Sequence, residues 1–202
     1  MPKPDWTRLR CKKAPETKSA LLETADRTGD TVLVCGDSIE AAAHSAVLID
    51  VPYFEAKLRE EWSGTTTWNL HNKLRLRLPC PAGAESLKLF LQGLYGDLRS
   101  LYEVNPESLL LQEVLSLADA CGVPGLCADV IQLVEVTSAN VDSWLEWLLV
   151  DHGADAEPIR EQVVQVMRAQ LRDALQQDPL SVEQLATISR VLPRRTMPQI
   201  AS

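Results

Sequence analysis

Aromatic residues are scarce in this chain of 202 residues: Phe, Trp and Tyr together make up 5%. So few rings leave little to stack nucleic-acid bases on. A surplus of positive charge is also missing, since 20 Lys and Arg face 28 Asp and Glu for a net of −8. Such a surface repels phosphate backbones, and nucleic acid is not an expected partner. The 9 glycines are too few for a collagen-like or Gly-rich linker class. No run of about 18 apolar residues occurs, so no membrane span is expected. Met1-Pro2-Lys3-Pro4-Asp5-Trp6 has no apolar stretch behind its basic residues and does not read as a secretory signal.

Cysteine pairs at CxxC spacing are absent too. The five cysteines, Cys11, Cys35, Cys80, Cys121 and Cys127, are odd in number, and several sit inside apolar runs. There a thiol behaves as a small buried hydrophobe, which points to a reducing intracellular location, cytoplasmic or nuclear. The chain has no phosphate loop, dinucleotide fingerprint, HExxH or GxSxG. His44, His71 and His152 stand far apart with no partner at metal-ligand spacing. The reading is a non-enzyme, with no catalytic residue, metal or cofactor.

What is present is an ordinary globular mix, 46% hydrophobic and 24% charged, rich enough to build a core. Residues 1–18 read as a basic tail with Lys3, Arg8, Arg10, Lys12, Lys13 and Lys18. A short helix over 18–25 carries Leu21 and Leu22, and Arg27-Thr28-Gly29-Asp30 reads as a turn. Thr31–Cys35 is a β-branched strand, Gly36-Asp37 a hairpin turn, and Ser38–Ala43 a returning strand with Ile39, Ala41 and Ala43 on one face. A short apolar helix over 44–50 precedes one opened by Pro52, running to about Glu61 with Phe54 and Leu58. Trp62–Asn72 reads as a loop. Lys73–Leu78 alternates as a strand, leucines inward and Lys73, Arg75 and Arg77 outward.

The rest reads as helices. Leu87, Phe90, Leu91, Leu94 and Tyr95 form one stripe. Asn105-Pro106 reads as an N-cap with proline at the first helical position, ahead of Leu111, Val114, Leu115 and Ala118, with Gly122 closing that helix. Further stripes are Cys127, Val130, Ile131 and Val134, then Val141, Trp144, Leu145, Leu148 and Leu149 behind a capping Asn140. A long helix ending near Gln177 carries Ile159, Val163, Val166, Met167 and Leu171, and Ser181-Val182-Glu183-Gln184 opens a last one with Leu185, Ile188 and Leu192. Three strands followed by many helices predict an α+β domain joined to a helical one.

Several residues have two readings. His44 is either a satisfied core or cap histidine or a base or ligand. Lys73, Arg75 and Arg77 are a solvated strand face or a site for an acidic partner. Trp62 and Trp68 either anchor a partner surface or pack onto the core.

One constellation resembles a known family. Asp30-Thr31-Val32-Leu33-Val34, Ala43-His44-Ser45-Ala46-Val47-Leu48 and Pro52-Tyr53-Phe54 resemble, in order and spacing, the signature of the BTB/POZ domain. Leu74-x-Leu76-x-Leu78 is similar to its third strand, Phe90-Leu91-x-x-Leu94-Tyr95-Gly96 to a helix end, and Leu115-x-Leu117-Ala118-Asp119 to a later step. Ser45 stands where members usually carry Arg or Lys. The resemblance covers about residues 20–136, and the helices beyond are similar in position to the BACK region that often follows. It implies a basic tail over 1–18, a BTB/POZ domain over 19–136 with a small three-stranded sheet surrounded by helices, and an all-α BACK-like region over 137–202. It further implies a homodimer, with Leu21, Leu22, Asp30, Val32 and His44 at or near the interface. BTB–BACK adaptors that bind the cullin-3 N-terminal domain carry a φ-x-Glu motif before the Leu-x-x-Ala-Asp helix. Leu111-Gln112-Glu113 has that form, with Leu110 as an alternative apolar position. The implied function is an adaptor bringing a substrate protein, unidentified by the sequence, to a cullin-3 ubiquitin ligase; a scaffold without ligase recruitment is the other reading.

Overall fold

The structure is a computed structural model that describes residues 16–36, 38–63, 73–150 and 156–177. Two short helices, α1 (Glu16–Glu23) and α2 (Ala25–Thr28), come first. Arg27 and Thr28 are thus helical, and the chain turns only at Gly29. A Cβ there would sit 2.5 Å from both the Ala25 and Ala43 carbonyl oxygens, so this close approach admits only glycine.

The strands are β1 (Thr31–Cys35), β2 (Ile39–Ala43) and β3 (Leu74–Arg77), in the order β2-β1-β3. β1 and β2 form an antiparallel hairpin with Thr31 opposite Ala43 and Cys35 opposite Ile39. Gly36 at the turn has a φ of 59°, a conformation glycine takes without strain. β3 lies parallel to β1, Leu33 opposite Leu76, as expected of strands joined through an intervening helix. Period-2 alternation sorts the sheet. Thr31, Leu33, Cys35 and Leu76 are buried on one face, while Val32 and Val34 are half-buried and Arg75 and Arg77 exposed on the other.

Helices pack on the buried face. Between the hairpin and β3 come α3 (Ser45–Leu48) and α4 (Pro52–Ser63), with Phe54 and Leu58 fully buried. α4 runs through Trp62, which the sequence pattern placed at the start of a loop. Then follow α5 (Ala84–Leu94), α6 (Arg99–Tyr102), α7 (Leu109–Cys121), α8 (Pro124–Leu133), α9 (Val141–Leu148) and α10 (Glu157–Gln177). α7 is capped by Ser108, whose side chain accepts the Leu110 N–H, and not by Asn105. Asn105 instead makes a local turn, its Oδ1 accepting the Glu107 N–H at 3.2 Å. Gly122 closes α7 in the left-handed conformation, φ 73°.

One buried apolar cluster runs from the sheet (Leu33, Leu76) through α5 and α7 (Phe90, Leu115) to α9 and α10 (Trp144, Ile159, Val163). The molecule is therefore α+β with a three-stranded sheet, and its C-terminal helices share the core of the rest. Asn140 sits at the N-cap of α9 without capping it. Its buried amide is used elsewhere: Oδ1 accepts the Thr137 N–H at 2.8 Å, and Nδ2 donates to the Glu107 and Glu135 carbonyls at 3.1 and 3.0 Å. Gln162 of α10 binds the backbone of Val134 and Val136. Along α10, Ile159 and Val163 are buried, but Met167 and Leu171 are 43% and 61% exposed, because the helix outruns the core its stripe was expected to fill.

Candidate interaction surfaces

Three segments far apart in sequence meet at the end of β1 and β2. The carboxylate of Asp30 reaches the first turn of α3, accepting the Ser45 backbone N–H at 2.7 Å and its hydroxyl at 2.5 Å. It thereby satisfies a helix-terminal N–H that His44, the N-cap residue, leaves without a side-chain partner. Burial pushes the Asp30 carboxyl up, but the two bonds from Ser45, together with those from its own backbone and the Thr31 hydroxyl, outweigh this and hold it below the usual aspartate value. Beside it, Tyr95 from the end of α5 accepts the His44 backbone N–H at 2.9 Å, and its hydroxyl lies 2.8 Å from His44 Nδ1. His44 Nε2 is 3.0 Å from Thr28 Oγ1, which itself donates to the Thr24 carbonyl. One proton placement serves every group: Tyr95 donates to Nδ1, and Nε2–H donates to Thr28. Burial raises the Tyr95 hydroxyl above its ordinary pKa; the His44 N–H offsets this in part, and the charge of Asp30 adds to it. His44 is thus a hydrogen-bonded structural residue joining α2, α3 and α5.

Asp30 sets a pH dependence. A carboxyl depressed in the folded state adds stability that is complete above its unfolded pKa and lost as pH falls through the folded value. Asp30→Ala is expected to cost about 0.5–2 kcal/mol near neutrality, in the manner of a lost helix cap. The gap between wild type and variant should narrow as pH drops below about 4. Urea melts at several pH values check this; a gap constant down to pH 2.5 would show that the carboxylate does not hold α3.

Of the residues assigned to self-association, Leu21 on α1 is 42% exposed, and Leu22 and Val32 are half-buried. Asp30 and His44 lie at the same corner, already bonded within the chain. Trp68 lies outside the described residues, as does the side chain of Trp62.

The φ-x-Glu segment falls at the start of α7 and differs from expectation. Leu111 is fully buried with Val114, Leu115 and Ala118, so it cannot reach a partner; helical periodicity turns it to the core. Leu109 is 49% exposed and Leu110 half-buried. Glu113 is committed inside the chain, accepting the Gly83 N–H at 2.7 Å and the Ser86 hydroxyl at 2.6 Å at the N-terminus of α5. A carboxylate there meets the positive end of the helix dipole.

The strand basics separate. Arg75 pairs with Glu40 across the open face of the sheet, and both side chains are well exposed. Lys73 is half-buried rather than outward, because its ammonium donates to the Asp26 carbonyl at 2.6 Å, on a helix its own pattern could not announce.

No disulfide joins the four described cysteines, Cys35, Cys80, Cys121 and Cys127. Burial pushes Cys80 up to about 11 and Cys121 up to about 12, with neighbouring thiols adding to both, so at neutral pH each is a protonated thiol and a poor nucleophile. Among the described residues no His, Cys, Asp and Glu cluster could hold a metal, and no helix is long and apolar enough to cross a membrane.

One feature escaped the sequence pattern: a groove of about 400 Å³ between α1, β2 and α5, lined by Glu23, Asp26, Glu40 and Asp97. Its residues come from three stretches, each unremarkable alone. Comparison with models of known protein families and with curated proteins finds no match for the chain.

Proposed function

We propose that this chain is a divergent BTB/POZ-like interaction module that pairs with a second copy of itself and brings a substrate protein to a cullin-3 ubiquitin ligase. The observation that carries the reading is the convergence of its signature segments. Asp30, His44-Ser45 and Tyr95, each quoted for the resemblance from a different stretch, form one hydrogen-bonded corner beside a three-stranded sheet. Ser45 departs from the family pattern, yet its hydroxyl serves Asp30 directly.

For self-association, the exposed Leu21 beside half-buried Leu22 offers an apolar helix face that a twin copy would cover. For the cullin, the apolar anchor passes from Leu111 to Leu110, with Leu109 beside it, while Glu113 shapes the site from within by fixing α5 against α7. Light scattering should show a dimer at micromolar concentration, weakened by deleting residues 1–27; a monomer throughout that range overturns the dimer. Calorimetry with the cullin-3 N-terminal domain should show binding that Leu110→Ala weakens by roughly thirtyfold, as for a central interface anchor worth about 2 kcal/mol. No heat at about 100 μM from a folded dimer removes the ligase and leaves an oligomerisation scaffold, the second reading.

A further inference from the structure

β2 is an edge strand, with β1 on one side and no strand on the other among the described residues. Which of its backbone groups face outward follows from the pairing of β1. The Asp30 and Val34 carbonyls accept the Leu74 and Leu78 N–H groups, so even-numbered residues along β1 turn their backbone to β3. Backbone groups alternate sides along a strand, so Thr31, Leu33 and Cys35 turn theirs to β2, opposite Ala43, Ala41 and Ile39. That leaves the N–H and C=O of Glu40 and Ala42 on the outer edge. The next outward N–H, that of His44, is taken by the Tyr95 hydroxyl. Those of Glu40 and Ala42 meet no backbone partner among the described residues. Such an edge is a template for another extended chain.

The groove of about 400 Å³ lies along this edge, lined by four consecutive residues, Ile39 to Ala42. Leu22, Leu87 and Leu91 give it an apolar floor, and its charged lining is four carboxylates against a single base, Lys88. Glu40 is met by Arg75, and Asp97 by Ser19 and Arg99, whereas Glu23 and Asp26 are exposed with no side-chain partner among the described residues. Gln92, also in the lining, has its Oε1 buried with no hydrogen-bond partner. A buried acceptor left open calls for a donor.

These features fit one kind of occupant. The outward groups of Glu40 and Ala42 repeat every two residues, about 6.8 Å, the spacing of alternate residues in another extended chain. The floor takes apolar side chains on one face of that chain, and the carboxylates and Gln92 take cationic donors. A second copy is unsuited, because pairing two β2 edges would bring two carboxylate-lined grooves together. The net charge of −8 adds to the attraction for a cationic segment. We propose that the outer edge of β2 binds an extended peptide segment of a partner protein, basic and apolar by turns, which adds a strand to the sheet. Main-chain bonds to Glu40 and Ala42 supply the pairing, and Glu23 and Asp26 select positive charge.

Amide exchange followed residue by residue by NMR tests the proposal on the full chain. Without peptide, the Glu40 and Ala42 amides should exchange faster than that of Ala41, which β1 holds. A synthetic heptapeptide alternating arginine and valine should slow Glu40 and Ala42 by roughly tenfold and leave Ala41 unchanged. Its binding should weaken as salt rises, and several-fold after Glu23→Ala with Asp26→Ala. Two control peptides separate strand pairing from bulk charge. One carries N-methyl groups on alternate amides, keeping its charge and losing its strand bonds; the other has glutamate in place of arginine. Neither should protect the edge. Protection by either control equal to that by the parent overturns the proposal, and so does no slowing at about 1 mM parent peptide. Glu40 and Ala42 amides already as slow as Ala41 without peptide would mean that the protein covers its own edge, which overturns an open site. Leu21, the proposed dimer contact, is not in the lining, and no readout uses the cullin domain, so failure here leaves those proposals standing.

Discussion

Replacing Trp144 by alanine is expected to destabilise the chain by about 3–5 kcal/mol, the cost of removing a large side chain from a filled core. Trp144 is 1% exposed and meets Trp147 edge to face, with ring centroids 5.7 Å apart. Around that pair the α7–α9 contact is hydrogen-bonded in both directions. Trp147 Nε1 donates to Ser116 Oγ at 3.0 Å, and Gln112 Nε2 donates to the Ser143 carbonyl at 2.7 Å. Truncation at 144 leaves a cavity where α9 and α10 join the shared core, so the whole chain should melt lower, by roughly 6–20 °C for a protein of this size. Leu149→Ala is the control, at the C-cap of α9 and at a residue the sequence pattern set in the same stripe but the structure turns to solvent. Leu149 is 81% exposed, and its loss should stay within about 0.5 kcal/mol. Thermal and urea melts read both; an unchanged melting temperature for Trp144→Ala would show that the stripe of α9 does not face the core.

Where local composition or periodicity decides structure, the sequence was readable. The β-branched run of Thr31–Cys35 and the alternation of Lys73–Leu78 place both strands to within a residue, and the stripe from Leu87 to Tyr95 gives α5 its buried face. Readings fail where a local signal has a competitor. Asn105-Pro106 reads as a helix start, but the capping bond goes to Ser108, because the leucine run begins one residue after it. Asn140 has the right type and place for a cap, but tertiary carbonyls claim its amide. Lys73 follows the outward phase of its strand, and only the position of α2 turns it inward. The corner of Asp30, His44 and Tyr95 was visible as three separate pieces of a resemblance, although nothing in the spacing said they would bond to one another. The groove was not visible at all, since a cavity formed by residues 19–26, 39–42 and 84–97 leaves no signature in any one window.

Leu111 illustrates the same competition, with a measurable consequence. In Leu111-Gln112-Glu113, a short interaction motif and a helical core stripe claim one residue. The stripe prevails because Leu111, Leu115 and Ala118 fall on one face of α7 and each is at most 1% exposed. Leu111→Ala is therefore expected to lower stability by about 2–5 kcal/mol. Leu109→Ala, at a side chain half in solvent, should cost less than about 1 kcal/mol. Glu113→Ala should fall between, at about 1–3 kcal/mol, because it strips the buried Ser86 hydroxyl and the Gly83 N–H of their acceptor. Glu113→Gln keeps an oxygen at that place and should recover part of the loss. The order of the four melts separates a core role from a surface role without any partner present. If Leu111→Ala melts with the wild type while Leu109→Ala unfolds early, α7 is rotated from the phase described, and the apolar side chain at its surface would be Leu111 after all.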